Sequence, residues 1–396
     1  WNGTEWVRVG DVAASLDYAD RDDLVNPSRV DLSADGNTLL VGYDAADGAF
    51  PGDVLSTDIS AGTVVALTWN GTHWLDLGQK LGGDIPLTFL GTSVAISADG
   101  RTLVASAPEP GGPWLHAEFE ALRQDISVYD VDGWYSYGSS EGHALEYPPI
   151  AEALPGRAFV WAWNGSSWQE LGGPLTGRRA FDRFGETVDI SADGSVVLVS
   201  AYPHRQNFFS SYPPRPSVHP YAQAYKWNGT GWSQLGEDIV FPVDDGVAED
   251  YDPEHRIPES VSMSGDGLTV AIAGHVKVSM FVFENSTWRP LGDPVESETG
   301  DQFDVRSAFL SGDGRTVAIS AEGGSATFAD GHVTVRRWDA TTWARVGSDL
   351  EQVIGWGNAY FTRNVALNDE GTVLAFPTAP RANPNPNPKI RVFQLV

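Results

Sequence analysis

Apolar and polar residues alternate in short runs along most of the chain, and the runs are broken by Asp-Gly or Asn-Gly pairs. A period of two marks strands with one face turned inward, and these pairs readily take the positive φ of a tight turn, so each such unit predicts a β-hairpin. One unit recurs six times: VDLSADGNTLLVG from Val30, VAISADGRTLVAS from Val94, VDISADGSVVLVS from Val188, VSMSGDGLTVAIA from Val261, AFLSGDGRTVAIS from Ala308 and VALNDEGTVLAFP from Val365. Between its copies lies a second: WNGTEWVRVG at 1, WNGTHWLDLG at 69, WNGSSWQELG at 163, WNGTGWSQLG at 227, ENSTWRPLG at 284 and WDATTWARVG at 338. Helical periodicity is confined to the short HAEFEALRQ at 116–124.

Each repeat thus carries four strands: A before the Asp-Gly, B after it, C ending in Trp-Asn, and D containing Trp-x-x-Leu-Gly. Four antiparallel strands repeated six times predict an all-β protein, a single six-bladed β-propeller domain over residues 1–396. The chain closes on KIRVFQLV, a C strand with no D strand after it, and opens on a D-type segment at Glu5–Gly10. Pairing the N-terminal strand with the C-terminal blade would close the ring and remove its open edges. A seventh blade would need one more copy of each unit, and the long second repeat has the residues but not the motifs.

Composition narrows the picture. The 396 residues include 41% hydrophobic positions, enough for a large core. A net charge of −28 excludes nucleic acid and anionic membrane surfaces as natural partners. No apolar run reaches membrane-spanning length, so no membrane insertion is expected. The absence of cysteine removes disulfides, thiolate metal sites and cysteine nucleophiles.

The pattern of an FG-like pair, then S-x-D-G, then W-N-G-x-x-W-x-x-L-G, best kept as DRFGETVDISADG at 182–194, resembles the FG-GAP-like β-propeller repeats. They are distantly similar to the integrin α-subunit head. The resemblance implies a cell-surface or secreted adhesion, lectin-like or matrix role, and hence an extracellular or cell-surface location. The turns here read SADG, SGDG and NDEG rather than the D-x-D-x-D-G calcium loop of integrin-type repeats. Repeated calcium sites are therefore not expected.

In a propeller the A–B and C–D turns share one face, while the B–C loops and D–A connections share the other. All the length variation falls in the second set: B–C loops at 109–157 and 202–221, and a D–A connection at 237–259. Binding is expected on this face. The first insertion offers Trp114, Tyr129, Trp134, Tyr135 and Tyr137, and the second Phe208, Phe209 and Tyr212. Such rings suit a protein interface, sugar stacking, or a small satellite core under a long loop. Asp244, Asp245, Glu249, Asp250 and Asp252 could supply oxygen ligands for one Ca²⁺ or form a solvated acidic loop. No other cofactor is expected.

Sequons at Asn2, Asn70, Asn164, Asn228 and Asn285 all fall in the C–D turn, either as glycosylation acceptors or because a type I′ turn asks for Asn-Gly. The repeated Trp residues are expected to fill the space between neighbouring blades. S-x-D-G-x-T is superficially similar to the sialidase Asp-box but differs in spacing and in the strands it joins. The eight histidines show no metal-ligating spacing, and no G-x-S-x-G or P-loop is present. The expectation is a non-catalytic extracellular or cell-surface module for protein binding, adhesion or matrix assembly. A lectin-like propeller is the alternative, and a propeller-type glycoside hydrolase with its site at the channel mouth follows third.

Overall fold

The computed structural model describes residues 29–44, 61–85, 88–108, 155–179, 182–202, 220–240, 260–274, 277–296, 303–323, 330–353, 365–378 and 389–394. They form six small antiparallel sheets, with no helix among the described residues. These are the six blades of a β-propeller. Blade one contains Arg29–Leu32, Thr38–Tyr43, Thr63–Trp69 and Trp74–Asp76 in spatial order from strand A to strand D. Its counterparts start at Val94, Val188, Ser260, Phe303 and Ala366. In blade six only strands A to C are described, ending in Lys389–Gln394. The expected closing strand at residues 1–10 lies outside the described residues.

One feature of strand D departs from the sequence reading, which ended it at Leu-Gly. A further short segment, Leu81–Gly82 in blade one, rejoins the same sheet by pairing with Thr63–Val64. Asp76 lies opposite Leu67 and Leu81 opposite Val64, so two extra residues are looped out at the Leu-Gly. The offset recurs in blades two to five, and Ile239–Val240 consequently belongs to blade three rather than to the connection expected at 237–259. A bulge of this kind bends the strand and marks a position where something else must fit.

What fits is the next blade. Strand C of blade two ends in Trp163, and its strand D begins with Trp168; their rings lie 5.4 Å apart. Trp168 is 2% exposed, and its indole N–H donates to the Leu77 carbonyl of blade one at 2.7 Å. Trp232, Trp288 and Trp343 repeat this bond at the same length onto Leu171, Leu235 and Leu291. The Trp163 ring rests where a side chain on Gly78 would stand, since a Cβ there would come within 2.6 Å of it. W-N-G-x-x-W-x-x-L-G is therefore a description of a lock between blades: two rings from one blade, and a carbonyl and a bare Cα from the one before.

The Asp-Gly turns make a second lock near the axis. In S-x-D-G the Ser hydroxyl donates to the Asp carboxylate and accepts the N–H five residues on, as in Ser97 with Asp99 at 2.7 Å and Thr102 at 2.9 Å. The turn so fixed points a backbone N–H at the next turn. Ala34 donates to the carbonyl of Ala98, Ala98 to Ala192, Ala192 to Gly265 and Gly265 to Gly312, all at 2.8–3.0 Å. In blade six Asn368 and Glu370 take over the Ser and Asp roles, with Asn368 Oδ1 accepting both Thr372 and Val373 N–H at 2.7 Å.

Between the locks, apolar side chains from facing sheets interdigitate. Leu40, Val64 and Ala66 of blade one meet Val94, Ile96, Leu103, Phe159 and Trp161 of blade two, all buried. Each large side chain so buried contributes about 1.5–3 kcal/mol. Because a sheet between two neighbours is covered on both faces, its middle strands are nearly continuous apolar runs, as in Val196–Ala201 of blade three, where all six residues are buried.

Adjacent glycines separate the two costs at the lock. Gly172 and Gly173 have φ of +87° and +77°, but a Cβ on Gly172 would meet Trp227 at 2.6 Å, whereas one on Gly173 would meet nothing within 4 Å. Gly173→Ala is expected to cost ~1–2 kcal/mol from backbone strain alone. Gly172→Ala is expected to cost about 1–3 kcal/mol more from displacing the rings. Urea unfolding of the two variants measures the difference, and equal costs would mean that the ring contact is not a constraint.

Candidate functional site

With the repeat motifs absorbed into blade-to-blade packing, the functional residues must be sought where the repeats differ. The innermost strands succeed one another around the axis, Arg29–Leu32 beside Val94–Ile96, then Val188–Ile190, Ser260–Met263, Phe303–Leu310 and Ala366–Leu367. Their inner edges have no further strand to pair with, so backbone N–H groups there need other acceptors. At one equivalent position, opposite Leu40, Val104, Leu198, Ala271, Ala318 and Ala375, the six blades carry Asp31, Ala95, Asp189, Ser262, Phe309 and Ala366.

Asp31 and Asp189 act alike. Asp31 Oδ2 accepts the N–H of Ile96 in the next blade at 2.7 Å, and its Oδ1 accepts that of Leu32 at 2.8 Å. Asp189 Oδ2 accepts Met263 N–H at 2.7 Å and Oδ1 accepts Ile190 N–H at 2.8 Å. Ser262 does the same for Leu310 at 3.1 Å, and Ser93 does it for Val188 from two residues earlier in its strand, also at 3.1 Å. Both carboxylates are half-buried.

Their electrostatics set them apart from the serines. Burial among the inner strands disfavours the charged form and raises Asp31 to about 6, although the Ile96 and Leu32 N–H groups pull it down. The same burial raises Asp189 to about 7 against the Met263 and Ile190 bonds, and the charge of Asp31 adds to the rise. The two groups feel each other across the intervening blade. Both carboxyl groups are thus held well above the ordinary aspartate range, so their charge changes between mildly acidic and neutral pH. The sequence reading quoted VDLS and VDIS only as turn pattern and missed these residues. The signal was a carboxylate in an inner strand where other copies carry Ala, Ser or Phe.

The residues singled out earlier fare differently. Trp114, Tyr129, Trp134, Tyr135, Tyr137, Phe208, Phe209 and Tyr212, the acidic group Asp244, Asp245, Glu249, Asp250 and Asp252, and Asn2 all lie outside the described residues. Tyr221, at the end of the second insertion, is 3% exposed. Its hydroxyl donates to buried Asp182 at 2.8 Å, and Arg178 lies over its ring at 4.8 Å. Among the described residues, no group of three or more histidine or carboxylate side chains is placed to hold a metal ion.

The exposed turns bearing Asn70, Asn164 and Asn228 are not the two-residue type I′ hairpins expected of Asn-Gly. Trp69 pairs with Trp74, which leaves four residues in the loop, and Asn70 Oδ1 accepts Thr72 N–H, Thr72 hydroxyl and His73 N–H at 2.8–2.9 Å. Asp339 makes the same bonds to Thr341 and Thr342. The turn needs a side-chain acceptor followed two residues later by a hydroxyl, and that requirement alone writes N-x-[ST] into the sequence. Asn285, by contrast, sits in a two-residue turn with Ser286, both at positive φ.

No family model matches the chain, and no curated protein matches it. Solved structures do. A candidate 6-phosphogluconolactonase of Bacteroides uniformis is 11% identical with a TM-score of 0.51, over 93% of this chain and 86% of its own. Sqt1 of Chaetomium thermophilum is 10% identical with a TM-score of 0.48, over 94% and 69%. A prolyl endopeptidase is 10% identical with a TM-score of 0.46, over 93% of this chain and 39% of its own. At these identities the likeness is one of fold.

The match with a TM-score above 0.5 carries a lactonase's name, which runs against the expectation of a non-catalytic adhesion module, and at 11% identity it shows the fold alone. The physical reason for the error is now plain. The motifs behind the FG-GAP resemblance are devices for joining blades, which a propeller needs whatever it does, so they carried no information about adhesion.

The carboxylate pair gives stability a definite dependence on pH. Both groups titrate higher in the folded chain than the ordinary 3.8, so the unfolded chain holds fewer protons between about pH 4 and 7. Their contribution is complete below about pH 4 and is lost as pH rises through 6 and 7. Urea unfolding at pH 5 and pH 8 is expected to show this fall, and Asp31→Asn with Asp189→Asn to flatten it. An unchanged slope in the double variant would show that the groups titrate normally.

Proposed function

We propose that this chain is an enzyme-type propeller whose central channel carries hydrolytic acid–base chemistry on a small uncharged or cationic ester or lactone. The observation that carries the reading is two carboxyl groups raised by burial, Asp31 to about 6 and Asp189 to about 7, on inner strands with one blade between them. At neutral pH ionised Asp31 takes a proton from water as the oxygen adds to the substrate carbonyl. Protonated Asp189 gives its proton to the departing alkoxide as the C–O bond breaks. Transfer of the captured proton from Asp31 to Asp189 through channel water restores the starting state, so the net reaction consumes one water.

The sign of the site selects the substrate. Two carboxylates within a chain of net charge −28 repel an anion, so the phosphorylated substrate implied by the name of the Bacteroides protein is not carried over. Neutral and cationic substrates are favoured, with association of the cationic ones accelerated at low salt.

The test is a pH-stat assay of the full chain against p-nitrophenyl acetate, acetylcholine, γ-butyrolactone and δ-gluconolactone. The expected result is hydrolysis of at least one neutral or cationic member, with a bell-shaped profile whose limbs fall near the two carboxyl values. Asp31→Asn and Asp189→Asn should each lose about 10²-fold or more while retaining the near-UV circular dichroism of the parent. Absence of hydrolysis across the panel, or parental rates in both folded variants, would overturn the proposal.

A further inference from the structure

The level of the channel that holds the two carboxyl groups holds a third unusual side chain. Around the axis its six equivalent positions are Asp31, Ala95, Asp189, Ser262, Phe309 and Ala366. The three large side chains fall on blades one, three and five, and an alanine or serine stands between each two of them. That alternation sets two carboxyl groups and one phenyl ring at the corners of a triangle about the axis, with the room left by the small residues between them.

The ring is more than the junction needs. Ala95 closes the same place between blades two and three, packed with Val104, Val188 and Ile190 and 4% exposed. Phe309 packs on Val365, Leu374 and Phe376 at the junction of blades five and six, yet it remains half-buried. Its strand, Phe303–Leu310, is the innermost of its sheet, so the part of the ring that blade six leaves open faces the channel.

Few other charges share this wall. Two places nearer the loop face, strand A carries Arg29, Ser93, Thr187, Ser260 and Ser307 in blades one to five. Arg29, and Arg306 at the bulge of blade five, each have an interaction of their own. The strands packed against the two carboxyl groups, Thr38–Tyr43, Val94–Ile96, Val196–Ala201 and Ser260–Met263, carry no charged residue.

We infer that this level of the channel binds an organic ammonium cation, with Asp31 and Asp189 balancing its charge and the face of Phe309 receiving its alkyl groups. An alkylammonium spreads its charge over the hydrogens next to nitrogen, and these are what an aromatic face attracts. A bare metal ion is served less well. It wants a shell of oxygen ligands, whereas each of the four carboxylate oxygens here already accepts a backbone N–H, from Leu32, Ile96, Ile190 or Met263. The net charge of −28 draws cations toward the protein from a distance. The inference rests on the same site as the hydrolytic reading and narrows its substrate to esters bearing an alkylammonium group, but binding does not require that the site be catalytic.

The test is isothermal titration of the full chain at low salt with choline and with dimethylbutanol, its uncharged carbon isostere. Choline is expected to bind several-fold more tightly than the isostere, and more tightly at pH 8 than at pH 5 because both carboxyl groups lose their protons in between. Phe309→Leu keeps an apolar side chain against blade six and should weaken choline roughly 3- to 30-fold, while Phe309→Tyr should retain it. The parent's own preference between the two ligands needs no variant to fold. Absence of choline binding, equal affinity for the isostere, affinity that does not rise with pH, or parental affinity in folded Phe309→Leu would each overturn the inference. Choline binding beside an inactive pH-stat panel would overturn the hydrolytic reading alone, and hydrolysis of neutral esters without choline binding would overturn this inference alone.

Discussion

Everything in this structure depends on the junction between one blade and the next. A four-stranded blade is apolar on both faces and cannot stand in water by itself, so the free energy that holds it must come from its two neighbours. That requirement is met at three radii. Near the axis, turn backbones donate from blade to blade, as Ala98 does to Ala192 at 2.9 Å. In the middle, facing apolar side chains interdigitate. At the rim, an indole N–H and a bare glycine lock the outer strands, as Trp232 does on Leu171 and Gly172. No blade can be altered at these points without disturbing the next.

This accounts for what was legible in the sequence. Six blades must solve the same junction problem, so the same residues recur, and W-N-G-x-x-W-x-x-L-G and S-x-D-G stand out against a chain that otherwise varies freely. The strands, their order and the two kinds of turn follow from those copies. The broken strand D was not legible, because its last two residues, Leu81–Gly82 or Ile239–Val240, are too short to show a period and are separated by the very bulge the lock requires. The Asn-Gly turns were misread for a related reason. Asn70 and Asn228 are chosen for a side-chain acceptor, not for positive φ, and the adjacent glycine made the two explanations look the same.

The candidate site was hidden by the same conspicuousness. Residues that recur draw attention and prove structural, while Asp31 and Asp189 sit inside a recurring motif at its one free position. The mistaken inference toward adhesion came from reading the function off the motif. On a repeat fold the productive comparison runs the other way: the copies define what the scaffold needs, and a departure at an equivalent position is where something other than the scaffold is being served.

Asp31 and Asp189 are departures of this kind. Their hydrogen bonds to Ile96 and Met263 are useful to the fold, since they satisfy N–H groups on the inner edge. Yet Ser262 performs the same service for Leu310 with a neutral hydroxyl, and Ala95 and Ala366 leave the position without a polar side chain at all. A serine would therefore suffice at 31 and 189, without the desolvation that holds both groups well above the ordinary aspartate range. Two mutually repelling carboxyl groups in the channel wall weaken the ring as pH rises through their titration. The fold obtains the same N–H partners elsewhere from neutral side chains, so the scaffold alone does not account for carboxylates on two of the six inner strands.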